Sequence, residues 1–145
     1  MLEALFVDAD INPRMLTAIG FAAGPGSFTG IRISAAVCQA LAVGAGAHVV
    51  PISSSLLLAH AARRVALESN SSLAGVQTVL RSRAKFAYLA GYRTTAAEDA
   101  TAAFECVADD ELFDDDRLSE TPLPAGWVRV IDSTPEEAAT LQATC

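Results

Sequence analysis

The sequence predicts an α/β fold, and three observations carry that expectation. Short apolar segments of strand length alternate with longer apolar segments of helix length through the first half of the chain. Glycine, proline and serine clusters punctuate each switch, as turns and caps require. Hydrophobic residues make up 52% of the 145 positions, enough for one ordinary domain or two small lobes to build a core, although much of that content is alanine. Charge narrows the function. Seventeen acidic residues stand against ten Lys and Arg, a net charge of −7, and the pI is about 4.6. Tight direct binding to a nucleic-acid backbone needs clustered Lys and Arg, so that class is disfavoured.

Taken in order, Leu2 to Asp10 reads as the last turns of a helix, with Leu2, Leu5, Phe6 and Ala9 on one face and Asn12-Pro13 as its stop. Thr17–Ala23 reads as a short buried strand. The run Gly24-Pro25-Gly26-Ser27-Phe28-Thr29-Gly30 then packs three glycines, a proline and two hydroxyl residues between two apolar segments. It reads as a tight strand-to-helix turn: glycine permits positive φ, proline fixes φ, and Ser27 or Thr29 caps the helix. Phe28–Val43 is the helix, ended by Gly44 and Gly46. His48–Ile52 is a second buried strand, and Ser53, Ser54 or Ser55 caps a further helix reaching Leu67. This order implies a parallel strand pair joined by a crossover.

Glu68–Leu73 is a serine- and asparagine-rich linker, which predicts a first lobe over 1–68 and a smaller second lobe over 75–145. Gly75–Ser82 and Phe86–Arg93 read as a hairpin with Arg83-Ala84-Lys85 at its turn, and Ala102–Val107 as a third strand. The acid-rich run Asp109–Asp116 reads as a solvated helix or loop. Trp127–Ile131 is a last strand, and Pro135-Glu136-Glu137 opens a terminal helix.

Several chemistries are excluded by spacing. Cys38, Cys106 and Cys145 are far apart, which suits a reducing compartment and forms neither a disulfide framework nor a metal site. His48 and His60 have no ligand partners at metal spacing. Glu3, Asp8 and Asp10 interrupt any signal peptide. The stretch Ile33–Leu58 is nearly free of charge, but Gly44, Gly46 and Pro51 break it and Gln39 and Ser53–Ser55 make it polar, so it reads as helix, turn, strand and helix rather than a membrane span. Ser53–Ser55 has no visible base partner, Arg81, Arg83 and Lys85 suit an exposed hairpin tip, and the acidic run lacks the ligand pattern of a calcium loop.

The glycine turn has two readings. Its N–H groups and the helix N-terminus suit a phosphate or carboxylate, or it is simply a close-packed turn. It is not a P-loop, because Ile31-Arg32 follow Gly30; the dinucleotide and nucleophile-elbow spacings also fail. The helix behind it is more informative. Phe28, Ile31, Ala35, Cys38 and Ala42 share one face, Ala36, Ala40 and Gly44 form a second stripe, and only Arg32 and Gln39 supply polarity. A helix apolar on two faces is either central to its own fold or covered by a partner.

The run from Gly24 to Gly30, followed by Ile31-Arg32-Ile33, resembles the signature of the bacterial TsaB (YeaZ) family, once labelled glycoprotease-like or peptidase M22-like. The similarity is good over Asn12–Arg64, including Pro51-Ile52-Ser53-Ser54. It is weaker over Val76–Tyr92, where Arg83 and Tyr88 fit but Arg81 stands in place of an Asp. The resemblance implies an actin-like, ribonuclease-H-like (ASKHA) fold of two lobes. It implies a role in threonylcarbamoylation of adenosine 37 in tRNA (t6A), in which TsaC makes the activated threonylcarbamoyl group and TsaD transfers it. A TsaB-like subunit has no catalytic residue of its own and supports TsaD, with TsaE completing the complex and tRNA contacted only indirectly.

The sequence departs from the family in two ways. Set against the family pattern, the chain is expected to start in the helix that follows a first β-hairpin, and the expected lack of that hairpin would remove peptidase or ATPase chemistry and leave a sheet short of strands. Ser34, Gln39 and Ala40 replace Gly, Lys and Gly. The expected partner interface is Leu2, Leu5, Phe6, Ile31, Arg32, Ala36, Gln39, Ala40 and Gly44, facing a TsaD-like protein or a second copy in a homodimer. No cofactor, metal or membrane is expected, and the cytoplasm is the expected compartment. The alternatives are a degenerate, purely homodimeric interaction module, or a small anion or nucleotide binder using Gly24–Gly30.

Overall fold

The computed structural model describes residues 2–69, 71–82, 85–95 and 104–132. The chain divides into two compact units, Met1–Ser53 and Ser54–Cys145. The first unit begins with helix α1, Leu2–Asp8. Asp10 turns the chain out of it at φ 51°, and Asn12 Oδ1 accepts the Arg14 N–H at 3.0 Å to cap a 3-10 turn at Pro13–Met15. Strand β1, Ala18–Gly24, then leads through the glycine turn into helix α2, Phe28–Ala45, and strand β2, His48–Ser53. The two strands are parallel, with Ala18 opposite His48 and Ala22 opposite Ile52, so the predicted crossover is present. Gly44 lies inside α2. Gly46, at φ 71°, supplies the left-handed cap and donates its N–H to the Ala42 carbonyl, correcting the expectation that both glycines end the helix.

Helix α3, Ser54–Glu68, opens the second unit. Strands β3 (Gly75–Arg81), β4 (Phe86–Thr94), β5 (Phe104–Asp114) and β6 (Trp127–Ile131) form a sheet in the order β5-β4-β3-β6. The hairpin β3–β4 is antiparallel, as predicted, and β6 pairs with β3 in parallel. Ala59 on α3 packs with Val76, Ala90 and Tyr92 on one side of the sheet. Val79, Ala87 and Leu118 build a second cluster, with Leu89 and Ile131 packed against it. Val76 and Val79 are fully buried, and burial of each side chain is worth about 1.5–3 kcal/mol.

Two expectations change here. The predicted boundary at Glu68–Leu73 is not where the units part, because α3 belongs with the sheet that its Ala59 covers. The acidic run is not a loop. β5 continues through Asp109–Asp114 before a 3-10 helix at Asp115–Glu120. An edge strand open to water accepts carboxylates on its exposed positions, so acidic composition did not exclude a strand. The terminal helix expected from Pro135, the residue Cys145 and the hairpin residues Arg83 and Ala84 lie outside the described residues.

The first unit contrasts with the second in what it buries. Among its described residues only Ala42 is a buried hydrophobic, at 6% exposure. A methyl group contributes about 0.8 kcal/mol, far less than a buried Val or Leu.

Candidate functional site

The glycine turn is close-packed and self-capped. Gly24 sits at φ 113°, a conformation L side chains rarely adopt, and the Gly24–Pro25 peptide is cis. A Cβ on Gly24 would meet Ile31 Cδ1 at 3.0 Å, so the absent side chain lets the turn lie on its own helix. Of the two candidate caps, Ser27 is the one used. Its Oγ accepts the Gly30 N–H at 3.3 Å, and its carbonyl accepts the Ile31 N–H at 2.9 Å. Arg32 Cζ lies 3.7 Å from the centroid of the Phe28 ring, a cation–π contact on the first turns of α2.

Helix α2 lies against β1, and its two faces separate by burial. Ile31, Ala35, Cys38 and Leu41 are half-buried and Ala42 is buried, so of the face grouped from the helical period all but Phe28 is the covered one; Phe28 is 64% exposed and carries Arg32. On the opposite side Ala36, Gln39, Ala40 and Gly44 are exposed. Ile33 at 59%, Val37 at 37% and Val43 at 86% exposure flank them. At 100° per residue, Ile33, Ala36, Val37, Ala40, Val43 and Gly44 fall within one stripe about 120° wide, the width of a surface meant to be covered. Sequence reasoning found the small residues and missed Ile33, Val37 and Val43, although the i, i+4 step from Ile33 to Val37 was readable. Ile31 belongs to the covered side, where it meets the turn, and this separates it from the other α2 residues expected at the interface.

On α1, Leu2 is 41% and Leu5 59% exposed, and Phe6 is half-buried. Leu2 and Phe6 line an open groove of about 800 Å³ with Ile11, Met15 and Leu41, so α1 and α2 present apolar surface within the same unit. α2 is also the one described helix long and apolar enough to cross a membrane by length and composition, with 11% of its 18-residue window buried. Its covered face and its capped ends belong to a helix seated on a sheet.

The remaining candidate side chains lie in separate local settings. Among the described residues no group of His, Cys, Asp and Glu could hold a metal ion. His60 stands edge-on to Phe104, with ring centroids 5.1 Å apart. Ser55, buried on α3, donates its hydroxyl to Asp110 Oδ1 on β5, a link between positions 55 apart in sequence that no local pattern reveals. Lys85 pairs with Asp116 at 3.2 Å, and both side chains are about 70% exposed.

Comparison with known proteins fits this picture. The family model described as TsaD, tRNA N6-adenosine threonylcarbamoyltransferase, matches residues 1–113. The tRNA threonylcarbamoyladenosine biosynthesis protein TsaB of Haemophilus influenzae is 39% identical over 62 residues, which cover 43% of this chain and 26% of that protein. YeaZ from Pseudomonas aeruginosa superposes with a TM-score of 0.69 at 23% identity. A second Pseudomonas aeruginosa structure, of a protein with similarity to peptidase YeaZ, gives 0.70 at 25% identity. Each superposition covers 89% of this chain and 56% of the other, so the chain spans about half the length of these solved relatives. The expected fold class is therefore present: α/β, of the actin-like, ribonuclease-H-like kind seen in YeaZ. The chain belongs to the family described by TsaD, tRNA N6-adenosine threonylcarbamoyltransferase, as a member of its TsaB (YeaZ) group.

Proposed function

We propose that this chain is an interaction subunit in threonylcarbamoylation of tRNA, pairing through α2 and α1 with a TsaD-like protein and contributing no catalytic group. The observation that carries the reading is the exposed stripe Ile33, Ala36, Val37, Ala40, Val43 and Gly44 on a helix whose other face is occupied. Small residues at Ala36, Ala40 and Gly44 let a second helix approach closely, and the apolar residues beside them supply area to remove from water. The name of the Haemophilus influenzae relative supplies the pathway. The net charge of −7 supports a chain that leaves tRNA to its partner. The anion-binder alternative loses support because Ser27 already uses the Gly30 N–H.

The test is co-expression with the TsaD-like protein of the same genome, with Ala40→Glu as the probe. Ala40 is exposed, so the variant should keep the stability of the free chain within about 0.5 kcal/mol. An unpaired carboxylate buried at a helix–helix interface should weaken the complex by at least about 30-fold. A folded chain that gives no complex, or a complex indifferent to Ala40→Glu, would overturn the proposal. Light scattering on the chain alone shows whether the same face joins two copies instead.

A further inference from the structure

The second unit carries a cleft that the pairing reading does not use. It lies on the side of the sheet away from α3 and encloses about 260 Å³. Its walls include the Trp127 indole, the Phe113 ring, Pro122 and Pro124, and two carboxylates, Asp109 and Glu111, also line it. Typical small-molecule sites run from about 300 to 1,000 Å³, so this cleft suits a single side chain better than a cofactor.

The walls are held in place. Trp127 pairs with Gly75 across β6 and β3, and its ring lies over the space a Gly75 side chain would fill. Arg129 donates Nε–H to Gln77 Oε1 at 2.6 Å, Nη1–H to the Leu118 carbonyl at 2.9 Å and Nη2–H to the Thr121 carbonyl at 2.7 Å. These bonds anchor the backbone just before Pro122. Asp109 Oδ1 accepts the Asp110 N–H at 2.8 Å, which orients its carboxylate. The Arg129 cation is directed to those carbonyls and to Gln77. Among the described residues, neither Asp109 nor Glu111 has an ion-pair partner.

We infer that the cleft between β5 and β6, walled by Trp127, Phe113, Pro122 and Pro124 and lined by Asp109 and Glu111, receives an arginine side chain of a partner protein. The Trp127 indole beside two carboxylates selects a cation over a neutral or anionic group, while the Phe113 ring has the chain's own Arg117 guanidinium 5.9 Å from its centroid and serves as an apolar wall. Arginine is favoured over lysine because its planar guanidinium stacks on an indole while its fork of donors reaches carboxylates. A preformed cleft loses little conformational freedom on binding. The site lies wholly in the second unit, so it stands or falls independently of the α2 face.

Trp127 is the chain's one tryptophan, so its emission reports on the site directly. The experiment titrates the full chain with a capped tri-arginine peptide at low salt and follows fluorescence. A saturable change is expected, weakened at least tenfold in Asp109→Asn/Glu111→Gln. The Asn keeps an acceptor for the Asp110 N–H, so the local fold is preserved. The charge-matched control Asp8→Asn/Glu68→Gln, at two exposed positions elsewhere, should bind as the natural chain does. No saturable change would overturn the inference. Equal weakening in both double variants would also overturn it, as diffuse attraction to an acidic protein. A tri-lysine peptide binding as tightly as tri-arginine would refute the selection of arginine.

Discussion

Gly75→Ala tests the placement of Trp127, on which one edge of the second sheet and the wall of its cleft depend. Gly75 and Trp127 are direct neighbours in the parallel register of β3 and β6. A Cβ on Gly75 would stand 2.5 Å from Trp127 Cδ2 and 2.6 Å from Cζ2, with Cε2 closer still. Optimal carbon–carbon separation is about 3.5–4.0 Å, so the ring must retreat by about 1 Å or more. Gly75 is buried and sits on a central strand, which leaves the ring to move rather than the backbone. Overpacking of this kind costs about 1–3 kcal/mol. Set against it is the gain of about 0.5–1 kcal/mol that alanine brings over glycine within a strand. Mid-values of the two ranges leave a net destabilisation of about 1 kcal/mol. With a urea slope of about 2 kcal/mol per molar, the midpoint should fall by about 0.5 M. Trp127 emission follows the transition and should also shift in the folded state. The sign should reverse in a Trp127→Val background, followed by circular dichroism, because only the propensity gain remains. A Gly75→Ala chain with an unchanged midpoint and unchanged emission, or a destabilisation that persists without the indole, would refute the stacking of Trp127 on Gly75.

Two further predictions rest on single side chains. Arg129→Met keeps the apolar stem but removes three hydrogen bonds, two of them to backbone carbonyls; a loss of about 2–4 kcal/mol is expected in urea unfolding, with faster hydrogen exchange over 118–121, and an unaltered exchange pattern would count against the clamp. Ser27→Ala should cost about 1 kcal/mol through the lost cap on Gly30, whereas Ser27→Asp should retain the natural stability because a carboxylate accepts the same N–H and suits the helix N-terminus; equal losses in both variants, read by thermal melts, would show that the hydroxyl is not the cap.

Much of the first unit was legible because its signals are local. A strand, a glycine turn, a capped helix and a second strand each announce themselves within a few residues. Ser27 and Gly46 act at the positions that capping chemistry demands, even though Gly44 misled the end of α2. β5 was cut short because the sequence reading equated acidic residues with solvated loop, whereas an edge strand solvates one side of its pairing and much of its surface. The place where the two compact units part, between Ser53 and Ser54, was not legible for a different reason. Ser69 follows directly on the end of α3 at Glu68, but the end of a helix does not say which sheet the helix covers. That depends on Ala59 meeting Val76, Ala90 and Tyr92.

The candidate sites divide along the same line. Ala36, Ala40 and Gly44 could be grouped from helical period alone, since residues four apart share a face whatever the rest of the chain does. Which face of α2 stays open could not, because that is settled by where β1 lies. The Trp127 cleft was invisible for the same reason: Asp109, Phe113, Pro122 and Trp127 are ordinary residues until β4, β3 and β6 bring them to one side of a sheet. By itself, then, the sequence determined the family, through one seven-residue turn, and the local order of helices and strands, because both are written in near-neighbour chemistry. The tertiary structure alone decided where the units divide, which helix face is left uncovered and which aromatic and acidic side chains converge. Those outcomes depend on contacts between positions far apart in the chain, and no local propensity encodes them.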